Sequence, residues 1–132
     1  MSQEDCIFCS IIAKKMPSNI LYESDKVIAF LDIFPLSLGH FLVIPKTHAM
    51  RMHDIPDEEL SEIPLVIKSL VNKAGIKDYN ILQNNGKIAH QVVEHVHFHM
   101  IPKNKSEDGL VMEWNAKKAT DEELEISINM YS

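Results

Sequence analysis

Three short runs rich in β-branched and aromatic residues lie in the first third of the chain: Ile20 to Tyr22, Val27 to Leu31 and Phe41 to Ile44. The polar stretch Glu23-Ser24-Asp25-Lys26 between the first two predicts a hairpin. The third follows the loop punctuated by Pro35 and Gly39 and is stopped by Pro45, as for a buried strand. Ahead of them, Ile7, Phe8, Ile11 and Ile12 have the spacing of a short amphipathic helix over Ile7 to Lys15, ended by Pro17. Beyond Pro56, Leu60, Ile63, Ile67, Leu70 and Val71 recur every three or four positions behind an acidic first turn of Asp57, Glu58 and Glu59. Gly75 ends that helix, and Pro64 inside it predicts a kink or a division in two. Tyr79 to Leu82 alternates into a strand, and Asn84-Asn85-Gly86 supplies a turn. From Glu94 to Pro102 the period of two returns, with His95, His97, His99 and Ile101 on one face and Val96, Phe98 and Met100 on the other. A loop from Lys103 to Gly109, a short apolar piece from Leu110 to Trp114 and a capped helix start from Thr120 to Leu124 complete the chain.

Strands that come as hairpins with a few helices between them, and no regular βαβ alternation, predict an α+β fold. Its plan is an antiparallel sheet of about five strands with helices on one side. At 132 residues, with no repeat, linker or low-complexity tract, the chain reads as a single domain. A formal charge of −6 argues against tracking a nucleic-acid backbone, which needs clustered Lys and Arg. No apolar run approaches a membrane span, and Met1-Ser2-Gln3-Glu4-Asp5 is unlike a targeting peptide, so an intracellular, cytoplasmic protein is expected. In a reducing compartment its two cysteines, Cys6 and Cys9, read as half a metal site or a redox pair before a disulfide.

The histidine run carries the chemistry. Neighbouring imidazoles about 6.6 Å apart on one strand face can act on one small ligand or hand a proton along the row. The same spacing permits a metal site. One such histidine on a half-exposed strand is commonplace; three in register are not.

His95-Val96-His97-Phe98-His99-Met100-Ile101 resembles the histidine-triad signature, three histidines each followed by apolar residues. The likeness to the nucleotide-binding (Hint) branch of that superfamily continues in order through Cys6-Ile7-Phe8-Cys9-Ser10-Ile11-Ile12, Ala29-Phe30-Leu31-Asp32-Ile33, Pro35, Gly39 to His48 and Asn84-Asn85-Gly86. It covers about residues 4 to 116 and leaves 117 to 132 as a tail. The resemblance implies the same α+β fold, a homodimer with a continuous sheet, and a hydrolase of purine nucleoside 5′-phosphoramidates. The partners it implies are purine mononucleotides and their phosphoramidates, with no nucleic acid and no membrane. A dinucleoside polyphosphate hydrolase and a nucleotide-binding interaction module with vestigial turnover are the alternatives. His99, at the third triad position, favours hydrolysis over transfer to a sugar phosphate.

Residue by residue, the resemblance makes His97 the nucleophile toward the α-phosphorus, needing no catalytic metal. His99 holds a phosphate oxygen or assists the leaving group, His95 fixes its neighbour's tautomer, and His40 is a fourth member of the set. Asn84, Gln91 and the backbone amide of His97 are the matching phosphoryl donors. Asp32 takes the ribose hydroxyls, and Ile7, Phe8, Ile11, Phe30 and Ile33 form the purine slot. Several members with the cysteine pair bind structural zinc, and the matching ligands here are Cys6, Cys9, His48 and His95. The chain departs from the branch at His90-Gln91-Val92-Val93, where Gly-Gln-Ser/Thr-Val is usual. His90 adds bulk beside the phosphate, and Val92 lacks the hydroxyl that would meet the leaving group. Trp114 lies where related proteins place a segment that reaches a neighbouring subunit, or it closes the edge of its own core.

Overall fold

The computed structural model describes residues 3–132. Five strands, β1 (Ile20–Glu23), β2 (Val27–Leu31), β3 (Phe41–Pro45), β4 (Tyr79–Gln83) and β5 (Phe98–Pro102), form one antiparallel sheet in the order β1-β2-β3-β5-β4. The expected β1–β2 hairpin and the pairing of β4 with β5 are both present. β2 and β3 are central and buried on both faces, which is why they read as continuous apolar runs and not as alternation.

Three helices complete the fold: α1 (Ile7–Ile12), α2 (Asp57–Ala74) and α3 (Asp121–Asn129). On one face of the sheet Val27, Ala29, Phe41, Val43, Val96 and Met100 pack with Ile63, Val66, Ile67 and Val71 of α2. On the other, Ile28, Phe30, Leu42 and Ile44 pack with Cys6 and with Phe8 and Ile11 of α1. The α+β class stands, with α2 on one face of the sheet and the six-residue α1 on the other. That face is where the site forms.

α1 stops at Ile12, short of Lys15. Lys14 adopts a left-handed φ of 62°, and the amides of Lys15 and Met16 turn back to the Ser10 carbonyl at 2.9 and 3.3 Å. α2 is one helix through Pro64, not two. Its apolar stripe on the sheet outweighs the hydrogen bond that the proline cannot donate to Leu60. Gly75, at a φ of 67°, closes it with the Ile76 amide on the Val71 carbonyl. α3 carries the capping box of Thr120 and Glu123 and buries no residue. Trp114 is 78% exposed, so it does not close the edge of its own core. Among the described residues no helix is long and apolar enough to cross a membrane.

Candidate active site and metal centre

The triad is only partly on a strand. β5 begins at Phe98, so His99 lies in the ladder while His95 and His97 occupy the irregular approach to it. Extending the β3–β5 register would set Val96 opposite Pro45. Instead the Val96 amide bonds the Ala49 carbonyl at 2.8 Å, and the Pro45 carbonyl accepts from His95 Nε2 at 2.8 Å. A side chain has taken the place of a ladder hydrogen bond. The alternation of faces survives: Val96 and Met100 lie in the α2 core, while the His95 and His97 rings stand nearly perpendicular to that of Phe8 with centroids 5.9 and 5.1 Å away.

Because a carbonyl can only accept, His95 carries its proton on Nε2 and presents a lone pair at Nδ1. That atom is 3.5 Å from Cys6 Sγ, 3.6 Å from Cys9 Sγ and 3.2 Å from His48 Nδ1, and Cys9 Sγ is 3.3 Å from His48 Nδ1. Cys6 is the N-cap of α1, its sulfur accepting the Cys9 amide at 3.4 Å, so the helix start sets both thiols on one side. His48 is fixed from the other direction. Glu59 of α2 accepts the amide of its neighbour Thr47 at 2.8 Å and also the Thr47 hydroxyl.

A tetrahedral zinc with bonds of about 2.3 Å to sulfur and about 2.0 to 2.1 Å to nitrogen has S–N edges of about 3.5 Å and an N–N edge of about 3.3 Å. The four donors, all within 4.8 Å of one another, fit that figure. Burial lowers His95 to about 4, which keeps it in the neutral, ligating form. Burial, with Cys6 alongside, raises the Cys9 thiol to about 11, so Cys9 becomes a thiolate only when a cation compensates.

The remaining imidazoles are oriented in another way. His97 Nδ1 lies 2.7 Å from the His95 carbonyl and must donate to it, which leaves the lone pair on Nε2. The Leu36 amide donates to His40 Nδ1 at 3.0 Å, so neutral His40 carries its proton on Nε2. That nitrogen is 2.9 Å from His99 Nδ1 and 3.5 Å from Asp32 Oδ2. His99 Nδ1 therefore accepts, and its proton sits on Nε2. Burial lowers His40 against the pull of Asp32, lowers His97 against its bond to the His95 carbonyl, and lowers His99 to about 4 with His97 and His40 adding to the effect. At neutral pH all three are uncharged and the tautomers hold. Asp32, His40 and His99 also lie within 4.8 Å of one another. A cation there would have to displace the His40 Nε2 proton and break the Leu36 bond, so this set relays hydrogen bonds and does not fit a metal.

His97 and His99, with centroids 5.0 Å apart, open on a cavity of about 510 Å³. Ile7, Phe8, Ile11, Phe30, Asp32, Ile33 and Asn84, the residues that the resemblance sets around a nucleotide, line it together, with Ile33 at the rim and 73% exposed. His40 stands behind His99, 3% exposed, and reaches the cavity only through it. Gln91 does not line the cavity. Its Oε1 accepts the Gly86 amide at 2.6 Å and its Nε2 donates to the Met50 and Val93 carbonyls at 2.7 and 3.1 Å, so it pins the loop from inside and has no N–H left for a phosphate. Asn84 keeps one, the other being on the His90 carbonyl at 3.3 Å.

Sequence reasoning missed Met16, Ser18, Phe34, Leu42 and Val93 in the same wall. Phe34 had a signal in Asp32 two positions before it, whose Oδ1 accepts the Phe34 amide at 2.8 Å in an Asx turn.

The HIT domain family model matches residues 13–106. An adenosine 5′-monophosphoramidase of Saccharomyces cerevisiae is 49% identical over 119 residues, covering 90% of this chain and 75% of that protein. One of Schizosaccharomyces pombe is 48% identical over 119 residues, covering 90% of each. A solved structure of a histidine triad nucleotide-binding protein from Candida albicans superposes with a TM-score of 0.90 at 43% identity, covering 96% of this chain and 94% of that one.

Proposed function

The chain belongs to the HIT domain family, and from that premise we propose that it hydrolyses purine nucleoside 5′-phosphoramidates through a nucleotidyl-histidine at His97. One observation carries the reading: His97 Nδ1–H donates to the His95 carbonyl, so the lone pair of the ring is on Nε2, beside an apolar, purine-sized cavity. The phosphoramidase names of the fungal relatives support the substrate class.

In this reading the purine lies among Phe8, Ile11 and Phe30, and Asp32 accepts from the ribose hydroxyls. His97 Nε2 attacks the α-phosphorus as the P–N bond breaks, and water then releases the nucleotide from the imidazole. Over the two steps one water is consumed; its hydroxide ends on phosphorus and its proton on the amine. His99 Nε2–H and the free amide hydrogen of Asn84 face charge that builds on the phosphoryl oxygens. His40 holds His99 in the donating tautomer.

Cys6, Cys9, His48 and His95 would hold a structural zinc, which supplies a cross-link between α1, the end of β3 and the approach to β5. Thiols kept as ligands suit a cytoplasmic, reducing setting. A homodimer belongs to the same reading, supported by β4 at the sheet edge with Ile81 half exposed and by a tail in which Trp114, Leu124, Ile126 and Ile128 are all exposed.

The test is a single turnover of adenosine 5′-phosphoramidate labelled in the phosphate and quenched in base. Wild-type protein is expected to carry label and His97→Ala none, with nucleotide affinity within about threefold. Substrate consumption by His97→Ala at the wild-type rate would overturn the reading.

A further inference from the structure

The departure at residues 90 and 92 leaves a chemical question on the cavity wall. When a P–N bond breaks, an electron pair collapses onto nitrogen, and a donor aimed at that atom lowers the barrier. The loop that forms this wall offers few. The Gln91 amide is fully committed within the loop, Asn84 has spent one N–H on the His90 carbonyl, and Val92, 86% exposed, has no polar side-chain atom.

His90 remains. His90 lines the cavity with His97 and His99 and is exposed, and its ring has no hydrogen-bond partner among the described residues. The His90 backbone sits at φ 71° and ψ 21°, closing the turn Lys87–Ala89 with its amide on the Lys87 carbonyl at 3.0 Å. That left-handed region disfavours any residue with a Cβ, and a side chain in solvent gains no packing to offset the strain. Lys14, at a φ of 62°, shows that the chain also accepts a side chain in this region, so what singles out His90 is its place on the cavity wall. An exposed, unpartnered imidazole at the wall of that cavity is available to a ligand.

We propose that His90 is the specificity-determining residue for the leaving group, its ring N–H donating to the departing nitrogen in the place that Val92 cannot serve. The substrates it selects are those whose leaving atom departs poorly without a donor, amines above all. This rests on the phosphoramidate reading and adds a hydrogen bond to it; the bonds made and broken are unchanged.

The experiment compares wild type, His90→Gly and the double variant His90→Gly/Val92→Ser on two substrates, adenosine 5′-phosphoramidate and the p-nitrophenyl ester of adenosine 5′-monophosphate. Nitrophenolate leaves readily without help. For His90→Gly, kcat/KM on the phosphoramidate should fall by about 10- to 100-fold through kcat, and the loss on the ester should be about tenfold smaller. The melting temperature should hold or rise, since glycine relaxes the turn, which separates this effect from damage to the fold. The double variant should regain most of the phosphoramidate activity, a hydroxyl having returned at 92. Equal losses on both substrates, or no loss at all, would overturn the proposal. If wild type turns over neither substrate, the hydrolase reading itself fails and takes this inference with it.

Discussion

His95 and His99 lie four residues apart on the same side of one chain segment, yet the structure prepares them for opposite work. At His95 a backbone carbonyl accepts from Nε2–H, and the bare Nδ1 faces two thiols and a second imidazole. At His99 the sequence of bonds runs the other way: the Leu36 amide occupies His40 Nδ1, His40 Nε2–H occupies His99 Nδ1, and the proton of His99 is pushed to Nε2. His97, between them, is bound to the His95 carbonyl and keeps its lone pair. A backbone carbonyl on the His95 and His97 rings, and on the His99 ring an imidazole that the Leu36 amide orients, decide which is a ligand, which a nucleophile and which a donor.

The first way to break the comparison is to remove the ligand set. Cys9→Ser, or chelation of the native protein, should lower the melting temperature by about 10 °C or more if a zinc is held there. Elemental analysis should read one zinc per chain in the wild type and none in the variant. Activity should fall with it, because the carbonyl that orients His97 belongs to a residue anchored on that set. The second is to cut the relay. His40→Ala lies outside the cavity, so nucleotide affinity should change by less than about threefold while kcat falls by about 10- to 100-fold as His99 loses its fixed tautomer.

The smallest expected effect is in the pH dependence of stability. Burial holds His40 below the ordinary imidazole value and His99 at about 4, so between about 6.5 and 4 the unfolded chain binds more protons than the folded one. Their contribution is complete above about pH 6.5 and is lost as pH falls toward 4. His99→Gln should flatten that limb of a melting-temperature profile measured from pH 7 to pH 4.

Much of this was legible in the sequence because it rests on local pattern. β2 and β3 begin where the apolar runs begin, and Gly75 ends α2 as a left-handed cap does. The slot residues Phe8, Ile11 and Phe30 were readable because their apolar spacing and the family motif agree. Long-range partners were not readable. Nothing in the order of residues says that the Pro45 carbonyl will be claimed by His95, so the strand was expected to start before His97 and starts at Phe98. Gln91 has the chemistry of a phosphoryl donor, but Gly86, Met50 and Val93 consume it. The placement of α1 on the face opposite α2 depends on β2 and β3 being buried from both sides, which a run of apolar residues permits without stating which helix covers which face.

The division of tautomers is the central claim, and long-range ¹H–¹⁵N correlation of the imidazole nitrogens at neutral pH reads it most directly. The account predicts a proton on Nδ1 of His97 and on Nε2 of His40, His95 and His99, with the Nδ1 signal of His95 shifted when zinc is added. A proton on Nε2 of His97, or on Nδ1 of His99, would contradict it.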